Sequence, residues 1–276
     1  MDTFSLIQIS DTHLSRERPD FVPNFAIAAD HIATAKPDLV VHTGDIAVEA
    51  TARADDLVHG REAMEALGTP YRCIPGNHDV GDNPSDHGYV PEKRVSDPLV
   101  DTYEALFGPG HWHLDMGGWR LIGLNAQLFS SGLARATVQQ DWLADTLADS
   151  DGRPVAIFCH KPLLRDALEE PVDVPYRYVP LADRGPLAQA MAGADVRLFA
   201  CGHVHQARDH RVGDTRHIWC PATAFTMPDE MQPRVGDKRC GLTEYRFSPM
   251  GVDVQMQFPA AMTHPDVAVL RSVYAV

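Results

Sequence analysis

The 276-residue sequence has no apolar run near the roughly 20 residues needed to cross a bilayer, so no transmembrane helix is expected. It is also short of basic residues. Against 38 Asp and Glu there are only 24 Lys and Arg, a formal net charge of −14. Nucleic acid polymers are bound mainly through Lys and Arg, so this balance argues against them as partners. The five cysteines (Cys73, Cys159, Cys201, Cys220 and Cys240) are odd in number and show no C-x-x-C spacing. Three of them sit in apolar runs, where a free thiol behaves as a small hydrophobe. A reduced, cytoplasmic protein is the economical reading. The opening "MDTFSLIQIS" has neither a basic leader nor a small-residue cleavage site, so no secretory signal is expected. Repeats, low-complexity tracts and evident linkers are missing too.

What is present is a series of short apolar runs, each ending in polar residues of one kind. "FSLIQIS" leads into Asp11-Thr12-His13, and "PDLVVHTGD" ends at Asp45. "YRCIPGNHD" brings in Asn77, His78 and Asp79; "PVAIFCH" ends at His160; "VRLFACGHVH" ends at His203 and His205. Such runs read as buried strands. Between them "NFAIAADHIATA", "ADDLVHGREAMEALG" and "TVQQDWLADTLA" read as helices, the last opening with a capping box at Thr137 and Gln140. "HWHLDM" turning through Gly117-Gly118 into "WRLIGLN" reads as an antiparallel pair, and the C-terminal third is strand-rich. The expected fold class is therefore α/β, with two sheets packed together and flanked by helices.

In open α/β sheets ligands bind at the carboxyl ends of the strands. Five strand ends here carry His, Asp or Asn. The i, i+2 spacing of Asp11 with His13, and of His203 with His205, would aim each pair at one point on an extended backbone. Taken singly, each of these residues is more often an ordinary polar side chain; as an ordered set they point to a metal site.

The set D-x-H, G-D, G-N-H-D, H and G-H-x-H resembles the calcineurin-like metallophosphoesterases. Here it reads Asp11-Thr12-His13, Gly44-Asp45, Gly76-Asn77-His78-Asp79, His160 and Gly202 to His205, with no family position missing. It looks most like the bacterial class III cyclic-nucleotide phosphodiesterases and glycerophosphodiesterases. The resemblance implies one αββα sandwich domain over 1–276 and two metal ions, Mn, Fe or Zn. Asp11, His13 and His205 would hold one ion, Asn77, His160 and His203 the other, and Asp45 would bridge them. The mixed imidazole, carboxylate and amide donors suit such metals. Two divalent ions would acidify a bridging water, giving a hydroxide that attacks phosphorus. His78 would be catalytic, stabilising the transition state or protonating the leaving alkoxide, with Asp79 orienting its ring.

Two ions of about +2, less Asp11, Asp45 and one hydroxide, leave about +1, which one phosphodiester neutralises. The expected function is thus hydrolysis of a small phosphodiester: a cyclic nucleotide, a glycerophosphodiester or a phospholipid headgroup. A phosphomonoesterase on the same centre and a catalytically silent metal-binding scaffold stay open, as does a homo-oligomer. Irregular stretches near 80–98, 163–183 and 223–239 are expected to shape the substrate site. Arg16 and Lys161 read as solvated surface charges. Phe21, Tyr89, Tyr176, Tyr178 and Phe225 either line a pocket or anchor loops. His42 reads as a core residue or as a support behind the site, and His31, His59, His87, His111, His113, His210, His217 and His264 are given no role.

Overall fold

A computed structural model describes residues 3–84, 93–170 and 177–270. The first sheet contains β1 (Phe4–Ile9), β2 (Leu39–His42), β3 (Tyr71–Cys73), β10 (Leu242–Ser248) and β11 (Gly251–Gln257), in the order β11-β10-β1-β2-β3. The second contains β4 (Trp112–Met116), β5 (Trp119–Leu124), β6 (Val155–Cys159), β7 (Val196–Cys201), β8 (Arg208–Val212) and β9 (Thr215–Trp219), in the order β4-β5-β6-β7-β9-β8. The strands that precede the motifs run parallel: β1 with β2 and β2 with β3, then β6 with β7. The β4–β5 pair is antiparallel, as its turn signal requires.

Strand periodicity builds the layers. Phe4, Leu6, Leu39 and Val41 of the first sheet meet Trp119, Leu121, Ala156, Phe158, Leu198 and Ala200 of the second in one buried cluster. Their neighbours one residue along face outward. Ile7, Ile9 and Val40 pack under helices α1 (Val22–Ala35), α2 (Asp55–Ala66) and α4 (Asp97–Phe107) through Phe25, Ile32, Leu57, Met64 and Tyr103. Ile122, Leu124, Ile157 and Phe199 pack under α5 (Ala134–Ala148) and α6 (Leu181–Ala192) through Leu143, Leu147, Leu187 and Met191. The result is the αββα sandwich.

One helix start differs from expectation. Helix α5 begins at Ala134 after Leu133, so Thr137 lies inside it and caps nothing. The Thr-x-x-Gln pattern falls one turn too late: Leu133 takes the N-cap position, its own N–H donating to Ser131 Oγ at 3.2 Å.

Candidate metal centre

All five motifs lie just beyond strand ends, and in three of them the backbone leaves the extended region. Asp11, His13, Asp45, His203 and His205 all have φ between 45° and 67°, five of the eight non-glycine residues with positive φ among the described residues. The i, i+2 convergence therefore comes from left-handed turns after β1 and β7 and not from strand pleating. Each such residue costs on the order of 1–3 kcal/mol and persists only where its surroundings hold it. Here backbone hydrogen bonds do so: Asp11 N–H donates to Gly44 O and His13 N–H to Asp45 O, each at 3.0 Å.

The short G-x spacings have a steric cause. Gly44 has φ of 96°, and a Cβ on it would stand 2.7 Å from the ring of His160. A Cβ on Gly202 would overlap Ser10 Oγ and lie 2.6 Å from Asp11 Oδ2. Without those side chains the two sheets' motifs close on each other. His203 N–H then donates to both Asp11 oxygens, at 3.1 and 3.0 Å.

Three groups of donor atoms result, one of them joining His78 to His13 and Asp45. Asp11, His13 and His205 form a second, with ligand atoms all within 4.8 Å of each other; Asp45, His160 and His203 form the third. His205 Nε2 lies 3.4 Å from Asp11 Oδ1, and His13 Nε2 lies 3.9 Å from Asp45 Oδ2. His160 Nε2 faces Asp45 Oδ2 at 3.4 Å, Asn77 Oδ1 at 3.2 Å and His203 Nδ1 at 3.1 Å. The opposite ring nitrogens are fixed: His160 Nδ1–H donates to Thr43 O at 2.7 Å and His205 Nδ1–H to Phe225 O at 2.9 Å. In the neutral rings this leaves each Nε2 a bare lone pair turned toward other acceptors. Acceptors gathered without a donor between them fit a cation, and backbone-oriented imidazoles are the usual support of a metal ligand.

The electrostatics of the metal-free cluster agree. Burial opposes charge on His160, but Asp45 and Asp11 outweigh it and push the group up to about 9. His205 is raised against the same burial by Asp11. Burial raises Asp45, yet His160, His78 and His13 hold it well below the carboxylate range, and Asp11 is likewise depressed by His205 and His160. His13 and His203 are driven down, first by burial and then by neighbouring imidazoles. Protons on His160 and His205 thus occupy the place of cationic charge.

His78 sits at the mouth. Its N–H donates to Asp45 Oδ1 at 2.8 Å, and its ring nitrogen lies within 4.8 Å of donor atoms of His13 and Asp45. Asn77, His78 and His203 are half-buried, whereas Asp11, His13, Asp45, His160 and His205 are buried, so the centre opens on the first three. The expected role of Asp79 is corrected: its carboxylate accepts from the N–H groups of Ile46, Ala47 and Gly76, and Val48 O receives His78 Nδ1–H at 2.7 Å. Burial and Asp45 push Asp79 up to about 7 despite those three donors.

The minor assignments divide. Arg16 pairs with Glu62 on the surface, as expected. Lys161 does not belong there: it is fully buried and donates to Asp82 Oδ1 and Asn83 Oδ1. Phe21 and Phe225 form a wall beside His13 and His205, with ring centroids 4.3–6.3 Å apart. Tyr178 packs on Trp219. Tyr89, Tyr176 and His87 lie outside the described residues, as do parts of the 80–98 and 163–183 stretches. His42 is buried, its ring held by Thr12 Oγ1 and Gly44 N–H. Sequence reading missed the carbonyls of Thr43 and Phe225, which no side-chain pattern announces.

The chain is similar to known proteins in sequence and in fold. The calcineurin-like phosphoesterase family pattern matches residues 4–207. A probable cyclic nucleotide phosphodiesterase of Synechococcus is 26% identical, over 82% of this chain and 84% of its own. The glycerophosphodiester phosphodiesterase of Enterobacter lignolyticus is 28% identical, over 81% and 78%, and the 3',5'-cyclic adenosine monophosphate phosphodiesterase of Escherichia coli K12 is 24% identical, over 79% and 75%. In fold, a dimetal phosphatase from Danio rerio superposes with a TM-score of 0.67 at 13% identity, covering 92% of this chain and 95% of its own. With the family pattern spanning all five motifs and the donor atoms converging as they do, the chain belongs to the calcineurin-like phosphoesterases and is a hydrolase of phosphate esters.

Proposed function

We propose that the chain hydrolyses small phosphodiesters at this centre. Asp11, His13 and His205 would hold one metal ion and Asn77, His160 and His203 a second, with the Asp45 carboxylate available to both. The observation that carries the reading is the cluster of acceptors around His160 Nε2, beside the opening at His78. Divalent ions bound there supply Lewis acidity and an acidified water. The chain's own residues do the rest. Thr43 and Phe225 fix two imidazole tautomers, and the His78 N–H anchors Asp45. His78, held through Nδ1–H by Val48 O, carries a second proton on Nε2 when charged and delivers it to the departing alkoxide. The Phe21–Phe225 wall keeps bulk water from the His13 side.

Charge supports a diester over a monoester. Lys161 is neutralised by Asp82 and adds nothing to the roughly +1 left by two divalent ions, two carboxylates and a deprotonated water. The relatives named for cyclic-nucleotide and glycerophosphodiester hydrolysis support the same class. The described parts of the stretches 80–98, 163–183 and 223–239 are taken to shape the substrate site. Five buried free thiols support a reducing compartment such as the cytoplasm. Among the described residues no helix is long and apolar enough to cross a membrane. The test compares bis(p-nitrophenyl) phosphate with p-nitrophenyl phosphate in the presence of Mn²⁺. We expect faster turnover of the diester; faster turnover of the monoester overturns the assignment.

A further inference from the structure

Lys161 follows a candidate ligand directly, yet it points away from the centre into a closed polar network. It is fully buried, and its ammonium is shared between Asp82 Oδ1 and Asn83 Oδ1. Asn83 in turn donates through Nδ2 to the carbonyls of Ala126 and Phe129, at 3.2 and 3.1 Å. Those carbonyls bracket a 3-10 turn, Ala126–Leu128, that carries Gln127, itself buried. With its amide oriented to satisfy both ends, Gln127 donates to Asp82 Oδ1 at 3.0 Å and accepts from the Asn77 N–H at 3.3 Å. A path of hydrogen bonds therefore runs from the residue after His160, through Asp82 and Gln127, to the backbone of Asn77. It links two sheets' contributions on one side of the centre.

A buried ammonium is costly unless paired and fully hydrogen-bonded, so nothing in the packing of the core alone calls for one at this place. We propose that Lys161 is a positioning residue. Through Asp82 and Gln127 it fixes the first turn of α3 (Asn77–Val80), and so sets the Asn77 amide oxygen at its 3.2 Å spacing from His160 Nε2. This rests on the reading of Asn77, His160 and His203 as one ion's ligands. It acts on that ion's position and leaves the Asp11–His13–His205 group alone. Outer partners of metal ligands typically set affinity by 10- to 100-fold.

The experiment is a Mn²⁺ titration of the whole, metal-stripped protein by calorimetry and electron paramagnetic resonance. The variants are Asn77→Ala, Lys161→Met and Gln127→Met. Asn77→Ala identifies which binding step belongs to the Asn77 side. Lys161→Met and Gln127→Met are each expected to weaken that step about tenfold or more, and the other step by less than twofold. The double variant should be no worse than either single one, because both cut the same path. Gln127→Met leaves the Lys161–Asp82 ion pair intact, so it decides the matter even where Lys161→Met fails to fold. Wild-type steps in Gln127→Met, or equal weakening of both steps, overturn the positioning role. A wild-type protein that binds no pair of ions overturns the two-ion reading itself, a different and distinguishable failure.

Discussion

At the scale of single residues, the buried imidazoles dictate how the centre answers to pH. His160 is pushed up to about 9 from an ordinary 6.5, burial being outweighed by Asp45 and Asp11. Between those two values the folded metal-free protein binds a proton that the unfolded chain has released. Its contribution is therefore present below pH 6.5 and is lost as pH rises through about 9. A metal ligand must be deprotonated, so metal and proton compete for His160 and also for His205, which Asp11 raises against burial. Metal affinity should climb about tenfold per pH unit for each displaced proton up to that limit. Titration at pH 6, 7 and 8 in buffers of different ionisation enthalpy measures both affinity and proton release. An affinity that is flat with pH would contradict the assignment. His78 calls for a different experiment, because its task is proton delivery and it is not one of the proposed ligands. His78→Ala should lower kcat by roughly 10²–10⁴ while the metal content stays at the wild-type value. Loss of metal together with activity would make His78 a ligand.

At the scale of elements, the strand ends were legible and their geometry was not. Alternating apolar runs followed by Asp, Asn or His marked β1, β2, β3, β6 and β7 and put the candidate ligands just beyond the carboxyl ends of those strands. The left-handed turns at Asp11, His13, Asp45, His203 and His205 were hidden, because such turns are usually announced by glycine and these positions have none. Lys161 looked exposed because its partners, Asp82 and Asn83, lie some eighty positions earlier in the chain. The segment carrying Phe225 shows how elements cooperate. Thr223 and Ala224 N–H groups donate to the carbonyls of Ser10 and Asp11, and Asn24 on α1 donates to the carbonyls of Thr223, Ala224 and Thr263. The tight contact between motifs is the most exposed point of this assembly. In Gly202→Ala the new methyl group must displace Ser10 and Asp11, at a cost on the order of 1–3 kcal/mol. We expect a correspondingly lower thermal midpoint and at least a tenfold loss of metal affinity on the Asp11 side. A variant that melts and binds metal as the wild type does would show that the motifs need no such closeness.

At the scale of the whole molecule, the centre is a seam. Asp11, His13, Asp45 and Asn77 follow strands of the first sheet, and His160, His203 and His205 follow strands of the second. Beneath them Gln8 is a buried polar tie, donating to Thr43 Oγ1 at 2.8 Å and to Cys201 O at 3.2 Å while accepting from the Tyr245 hydroxyl. Apart from such ties, the sheets meet through apolar side chains, which favour contact without fixing its register. An ion held by ligands from both sheets would add the directional cross-link that the apolar layer lacks. It binds the folded chain and not the separated strands, so it must stabilise by mass action, by about 2.7 kcal/mol at a hundredfold excess over its Kd. For a chain of this size each kcal/mol moves the midpoint by about 2–4 °C, which makes roughly 5–10 °C per ion. Calorimetric melts over a range of Mn²⁺ concentrations should therefore show Tm rising with the logarithm of metal, and falling back on chelation. A midpoint that ignores metal from micromolar to millimolar would mean that these seven side chains hold no ion, and the diesterase reading would fall with it.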